Sequence, residues 1–342
     1  MMPAEAVLAT VITTVTDHVT IELFFALTLI RILEMVLRER QILAQMMEAA
    51  KNLLKRRKAV LISMPMLIGL LPSLGGAYFS APMVEESAIG LGMSSEEKAF
   101  VNYWYRHPWE YMLPLYPGII LATAVSHLEL RSLIIANSLY SALIFITWFV
   151  FSMRGVKETS ATIGREEGSG EEKAEIFRLS MLKSCLPVAV ILLLVIEFHV
   201  PLHYALGAVI LALILFYRFG PRDFLRALKY GFTTEVITLI FGVMLFKFTM
   251  DNSGAVVDLS AYFAQEGIPM LPILFLLPFL SGLLTGITVG FVGGTFPLII
   301  NLAGGAHLNE ITFAFAAGFT GVLLSPVHLY PGVFQGRYVG HL

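Results

Sequence analysis

The sequence predicts an all-α polytopic membrane protein built from two inverted repeats, each carrying a re-entrant helical hairpin. Three observations carry that expectation. First, 57% of the residues are hydrophobic and only 14% charged, with a mean hydropathy of +0.77, which leaves too little polar surface to cover a soluble globule. Second, apolar stretches of about 20 residues recur, the length that crosses a bilayer core. Third, a broken apolar segment occurs twice, as Pro65-x3-Gly69-Leu70-Leu71 and Pro278-x3-Gly282-Leu283-Leu284, and Glu22 and Glu235 keep the same spacing. A repeated pair of interrupted helices is the pattern of secondary carriers.

Taken in chain order, residues 1–19 read as too short and too polar for a span, and the first span is placed at 20–37. Residues 38–58 carry Ile42, Met46, Leu53 and Leu54 among many charges, the pattern of an amphipathic helix lying on the inner surface. Its counterpart in the second copy is 258–265. Spans follow at 109–127, 130–153, 179–198, 202–218, 231–250 and 310–329, about seven in all. Two stretches, 59–92 and 268–303, have Pro and clustered Gly at their centres and are read as hairpins of two short helices around a bent tip, since backbone that leaves the helix at membrane depth must be buried in protein or line a wet cavity. The segment 154–178 is charged and rich in Gly, Ser and Glu, a cytoplasmic linker between a first repeat at 1–153 and a second at 179–342.

Charge sets the orientation. Lys and Arg cluster at 31–58, 154–178 and 218–229, whereas 251–268 has acids and no Lys or Arg, so the basic loops are placed in the cytoplasm. Five spans then separate the start of the first copy from the start of the second, and an odd number inverts the second copy. The copies extend further: Pro82 pairs with Pro297, and Glu110-x7-Gly118 ending in His127-Leu128 parallels Glu310-x7-Gly318 ending in His328-Leu329. A net charge of −2, with the basic residues confined to loops, argues against nucleic acid as a partner. The single cysteine, Cys185, excludes an intrachain disulfide.

The chemistry is expected at the tips, Pro72-Ser73-Leu74-Gly75-Gly76-Ala77 and Thr285-Gly286-Ile287-Thr288-Val289-Gly290, the latter continuing to Gly293-Gly294-Thr295. There the returning arm begins with free N–H groups that suit an anion, and the entering arm ends with free carbonyls that suit a cation. Glycine allows close approach of a ligand to the backbone, and Ser73, Ser80, Thr285, Thr288 and Thr295 supply hydroxyls. The plainer reading of these small residues is close helix packing. Ionisable residues inside spans are costly and mark function: Glu22, Arg31, Glu110, His127, Glu197, Glu235, Lys247, Glu310 and His328. Glu110, Glu197, Lys247 and Glu310 lie near enough to span ends to snorkel. His127 and His328 hold matching places and form a candidate proton relay, weighed against hydrogen-bonded packing histidines. The tract Tyr103-Trp104-Tyr105-Arg106-His107-Pro108-Trp109 reads as an interfacial aromatic belt.

Three strings, Leu70-Leu71-Pro72-Ser73-Leu74-Gly75-Gly76-Ala77, Thr285-Gly286-Ile287-Thr288-Val289-Gly290-Phe291 and Ser325-Pro326-Val327-His328-Leu329, resemble an uncharacterised family of integral membrane proteins akin to gluconate permeases, within the ion-transporter superfamily of dicarboxylate and citrate carriers. The resemblance implies an elevator-type carrier in the cell membrane, usually homodimeric, that moves a small organic anion with a coupling cation, Na+ or H+, bound between the tips at Ser73, Gly75, Gly76, Thr285, Thr288 and Gly294. The Ser-Asn-Thr triplets of the sodium-coupled dicarboxylate carriers are absent from both tips, which leaves the coupling ion open. Relative to that superfamily, scaffold spans expected before residue 20 and after His328 are missing. The leading reading is therefore a secondary carrier for a carboxylate or sugar acid, with no metal or organic cofactor and no enzymatic role. A non-transporting remnant or binding subunit is the alternative, and an intramembrane hydrolase using Ser325 and His328, three apart on one helical face, is the third.

Overall fold

Helices begin where side chains can satisfy the first free N–H groups and end where Pro or Gly interrupts an apolar run. A computed structural model of the chain describes residues 3–54, 56–70, 76–153, 171–253, 261–262 and 265–328, and every regular element among them is helical. The order is α1 (Ala4–Thr16), α2 (His18–Glu39), α3 (Ile42–Leu53), α4 (Arg57–Gly69), α5 (Gly76–Ser87), α6 (Ser95–Trp104), a 3-10 turn at Pro108–Tyr111, α7 (Pro117–Ser126), α8 (Leu130–Met153), α9 (Glu171–Ile196), α10 (Leu202–Phe216), α11 (Pro221–Gly231), α12 (Thr234–Ser253), α13 (Met270–Thr285), α14 (Thr288–Leu302) and α15 (Leu308–Leu324).

Local chemistry explains several boundaries. Asp17 accepts the Thr20 amide at 2.9 Å and starts α2. Ser94 and Glu97 form a capping box on α6, with Ser94 N–H to Glu97 Oε2 at 2.8 Å and Glu97 N–H to Ser94 Oγ at 3.2 Å. The span expected at 109–127 is instead broken: the 3-10 turn is followed by non-helical backbone, and α7 starts only at Pro117. Pro114 and Pro117 are the reason, because neither can donate a backbone hydrogen bond and each restricts the residue before it. Residues 4–16, expected to be too polar for a span, form the apolar helix α1, which packs on α12 with Asn252 donating to Thr10 Oγ1 at 3.0 Å.

The main core joins α2, α7, α9, α10 and α12 to α13, α14 and α15, around Leu33, Leu37, Ile119, Ile191, Leu206, Met244, Phe291, Phe315 and Phe319. The second helix pair, α13 and α14, is thus built into the centre, whereas α4 and α5 rest on two smaller clusters. One of these contains Met46, Met47 and Ala50 with Met64, Ile68 and the partly buried Cys185 and Met181. The apolar face of α3, expected to meet lipid, is therefore covered by protein. The more strongly amphipathic surface element is α11, where Phe224 and Leu225 are exposed on a helix that also carries Arg222, Arg226 and Lys229. The linker centre at 154–170 and most of the expected surface helix at 258–265 lie outside the described residues.

Among the described residues, two runs are long and apolar enough to cross a membrane, 130–151 and 221–253, the second breaking at Phe232 so that α12 is its longer part. Several shorter apolar helices accompany them.

Candidate functional site

The α13–α14 pair turns over in two residues. Gly286 ends α13 at φ 66°, a left-handed conformation that a side chain would strain, and Ile287 leads into α14 with no side-chain cap on the new helix. The arms run antiparallel from this point. A methyl at Gly290 would lie 2.8 Å from Thr285 Oγ1, and one turn further back a methyl at Gly294 would lie 3.9 Å from Ser281 Oγ. Ser281, Thr285, Gly290 and Gly294 therefore share a small, polar, accessible face, while Leu271, Leu276, Leu280 and Leu284 on the same hairpin are exposed and apolar.

Small residues also let the hairpin dock. A Cβ at Gly282 would overlap the Gly318 carbonyl of α15, and one at Gly321 would overlap the Phe279 carbonyl of α13, so the two backbones touch. The matched glycines of the repeat both abut α14, Gly118 against Thr288 and Gly318 against Phe291. The paired Gly69 and Gly282 both sit under a foreign carbonyl, that of Arg106 and that of Gly318.

The expected site residues divide on this geometry. Ser73 and Gly75 lie outside the described residues, and Gly76 opens α5. Ser80 is fully buried and donates to Asn102 Oδ1 at 2.5 Å. Thr285 is exposed and Thr288 half-buried, both beside the turn; the Thr285 hydroxyl donates to the Ser281 carbonyl at 2.7 Å. Gly293 is buried, and a Cβ there would meet Val243 of α12 at 2.7 Å. Thr295 is buried and donates to the Phe291 carbonyl at 2.7 Å. Gly293 and Thr295 are packed, and Gly294 alone of that trio is exposed among the described residues.

Several carbonyls near the ends of the entering arms are held by side-chain donors. On α13, Ser325 Oγ donates to the Leu283 carbonyl at 2.6 Å and His328 Nδ1 to the Gly286 carbonyl at 2.6 Å. On α4, Trp109 Nε1 donates to Met66 O at 2.8 Å and the Tyr116 hydroxyl to Gly69 O at 2.6 Å. Side-chain donors occupy positions where a bound cation was expected. Ser325 follows the end of α15 and does not share a helical face with His328; each is committed to a different carbonyl of α13.

The 103–109 tract is not an exposed belt. Tyr105, Arg106, His107 and Pro108 are buried, Trp104 stacks on Trp148 at 3.7 Å, and the Tyr103 hydroxyl donates to Leu323 O at 2.9 Å. Its polar tips hold carbonyls of α4 and α15, which is why it turns inward. The tract also brings His107 to His328, with Nε2 to Nε2 at 3.4 Å, and Glu110 Oε1 lies 3.7 Å from His107 Nε2. No sequence signal pairs His107 with His328; the paired histidine expected from the repeat was His127.

His127 is elsewhere. It ends α7 at φ 55°, exposed in an open cavity of about 350 Å3 between the start of α2, the end of α7 and the start of α10. Glu22 lies there 3.7 Å from His18 and 4.0 Å from His203, and Arg131 donates to His199 Nε2 at 3.0 Å. The basic loops gather at the other end of α2. Arg226 pairs with Glu39 at 2.8 Å, Arg31 donates to Tyr230 O at 3.1 Å, and Arg40 lies over Phe219. Of the remaining intramembrane candidates, Lys247 is buried and paired with Asp251 at 3.1 Å. Among the described residues no group of three His, Cys, Asp or Glu is placed to hold a metal ion.

These features define a class: an all-helical protein whose centre is a glycine-tipped helical hairpin, clamped by donors from a neighbouring segment. The chain belongs to the DUF401 family, described as proteins of unknown function, whose model matches residues 2–340. No curated protein matches the chain.

Proposed function

We propose that the protein is a multi-pass membrane carrier of a small organic anion, a carboxylate or sugar acid, and that the anion binds at the α13–α14 turn. One observation carries the reading. The hairpin arms have 16 and 15 residues, about 24 and 22 Å of helix, each short of the roughly 30 Å of a bilayer core, so the turn would fall inside the membrane. There it offers an uncapped helix N-terminus beside an open face of Ser281, Thr285, Gly290 and Gly294. Free N–H groups and a positive dipole end favour an anion.

Exposed apolar surface supports the membrane setting. Only 22% of the apolar window in 130–151 is buried, and Leu139, Leu143, Ile146 and Phe151 point outward, a surface that lipid would cover. The gathering of basic residues at one end of α2, opposite the cavity holding His127, fits a fixed orientation with that basic end in the cytoplasm. α2 has 22 residues, about 33 Å at 1.5 Å per residue, enough to separate the two ends by a bilayer. Movement of the hairpin domain against a dimeric scaffold is part of the proposal through the resemblance noted above. The hydrolase reading loses its support, because the Ser325 hydroxyl donates to Leu283 O instead of to a histidine base.

Uptake into proteoliposomes of labelled gluconate, citrate and succinate, under imposed sodium or proton gradients, tests the proposal. Gradient-dependent accumulation of any of them is the expected result. Well-inserted protein that accumulates none of the three, and that binds none in a separate equilibrium assay, overturns it in favour of a non-transporting membrane protein.

A further inference from the structure

Both histidines at the tip have their tautomers dictated by backbone. A carbonyl oxygen can only accept, so His328 Nδ1, 2.6 Å from Gly286 O, carries a hydrogen, and so does His107 Nδ1, 2.5 Å from Tyr103 O. Each neutral ring then presents an acceptor Nε2, and these two atoms face each other at 3.4 Å. Two lone pairs directed at one another repel; a single proton placed on either Nε2 turns the contact into an N–H···N hydrogen bond. The surroundings limit access, with Tyr103 edge-on to His328 and Phe319 packed against His107, which is 1% exposed.

Among the described residues, the charges around the pair come from the segment that carries His107. Glu110 Oε1 lies 3.7 Å from His107 Nε2, and the Arg106 guanidinium acts on both imidazoles. Among the described residues, Tyr103 and Tyr111 are further titratable neighbours, Tyr111 being edge-on to Phe319. The Glu110 carboxylate is the group on this segment whose charge favours an added proton between the rings, and the Arg106 guanidinium opposes it.

We propose that His107 and His328 together bind one exchangeable proton between their Nε2 atoms, with Glu110 as counter-charge, and that this proton is the coupling ion of the carrier. The coupling half of the proposal rests on the carrier reading; the proton site itself does not. The proton comes from water, takes up one Nε2 lone pair, and is donated to the other. It reaches the substrate site through one bond: His328 holds the Gly286 carbonyl at the end of α13, and a protonated ring makes that hydrogen bond charge-assisted and stronger. A ligand that favours the clamped turn must then raise proton affinity by the same factor as the proton raises its own. Ser325 and His328 already donate to two carbonyls at the end of α13, which leaves fewer acceptors there for a sodium ion and is the independent reason for a proton in that role.

The test uses the full chain in lipid nanodiscs with 15N-labelled histidine rings. Both Nδ1 atoms are expected to stay protonated across the titration, with one proton taken up per pair. His107→Gln is expected to move the titration midpoint of His328 by more than about one pH unit, as interacting sites require. Glu110→Gln, which keeps the size of the side chain, is expected to move the pair's midpoint to more acidic pH and serves if His107→Gln does not fold. A His328 midpoint unmoved by both variants, or an Nε2–H neutral tautomer in either ring, overturns the proton site. In proteoliposomes, His107→Gln is expected to lower proton-driven accumulation by at least about fivefold, the low end for coupled sites. Accumulation driven by sodium alone and unchanged in that variant overturns the coupling role. If no substrate accumulates under any gradient, the carrier reading fails and the ring-nitrogen titration alone decides the proton site.

Discussion

Adjacent glycines in α14 have opposite surroundings. Gly293 lies against Val243 of α12, whereas Gly294 opens toward Ser281, and among the described residues nothing is closer than 3.9 Å to an added Cβ. Gly293→Val is therefore expected to lower the thermal midpoint of the purified protein, through overpacking of about 1–3 kcal/mol. Gly294→Val is expected to fold with a near-wild-type midpoint and to lose anion binding, read by equilibrium binding of labelled substrate. Equal loss of folded protein in both would remove the distinction between a packing glycine and a site glycine. The tip carbonyls give a second residue-scale expectation. Ser325→Ala leaves the partly buried Leu283 carbonyl without its hydroxyl donor, at a cost toward the lower end of the roughly 1–3 kcal/mol of an unsatisfied buried acceptor, and faster amide hydrogen exchange in the last turn of α13 is the measurement that reports it.

At the scale of elements, the contact of α13 with α15 depends on backbone meeting backbone. Gly282 and Gly321 face each other's helices with no room for a methyl, so Gly282→Ala is expected to force the two helices apart and destabilise by the upper part of the roughly 1–3 kcal/mol range, or more. Size-exclusion profiles in detergent and thermal scans would show it. The hairpin has two unlike faces, and labelling separates them. In a Cys185→Ala background, cysteines at Ser281 and Gly294 are expected to react with a water-soluble maleimide faster than cysteines at Leu280 and Leu284, because the first pair lies on the polar face and the second on the exposed apolar one. Equal rates at all four positions would contradict a wet tip within lipid. Elements also show how far residue patterns reached. The hairpin of 268–303 was legible because Pro278, Gly286 and Pro297 punctuate an apolar run, and it appears as α13 and α14. The break before α7 was missed because overall hydropathy hides the effect of Pro114 and Pro117.

For the whole molecule, the grouping of basic side chains at one end of α2 and of His127, His199 and His203 at the other makes a topological statement. Impermeant reagents applied to intact cells are expected to label a cysteine at His199 and not one at Arg222, with the reverse in inverted vesicles; labelling of both from one side would refute the orientation. The repeat expected from the sequence is also qualified at this scale. Gly118 and Gly318 keep parallel tasks against α14, but His127 and His328 do not, one lining an open cavity and the other holding the tip. Sequence symmetry survives where packing demands a small residue and is lost where a polar side chain has been recruited to a single carbonyl.

Hydropathy, charge clustering and Pro/Gly punctuation by themselves determined that the chain is helical, where most helices lie, and which stretches break in pairs, because these are properties of short windows of sequence. Only the tertiary structure decided which small residues pack and which stay open, turned the 103–109 tract inward, and replaced His127 by His107 as the neighbour of His328. The physical reason is distance along the chain. His107 and His328 are 221 residues apart and Trp109 is 43 from Met66, and a contact between residues so separated leaves no periodic trace; the Trp109 bond exists because an interrupted helix presents a carbonyl that some donor must satisfy.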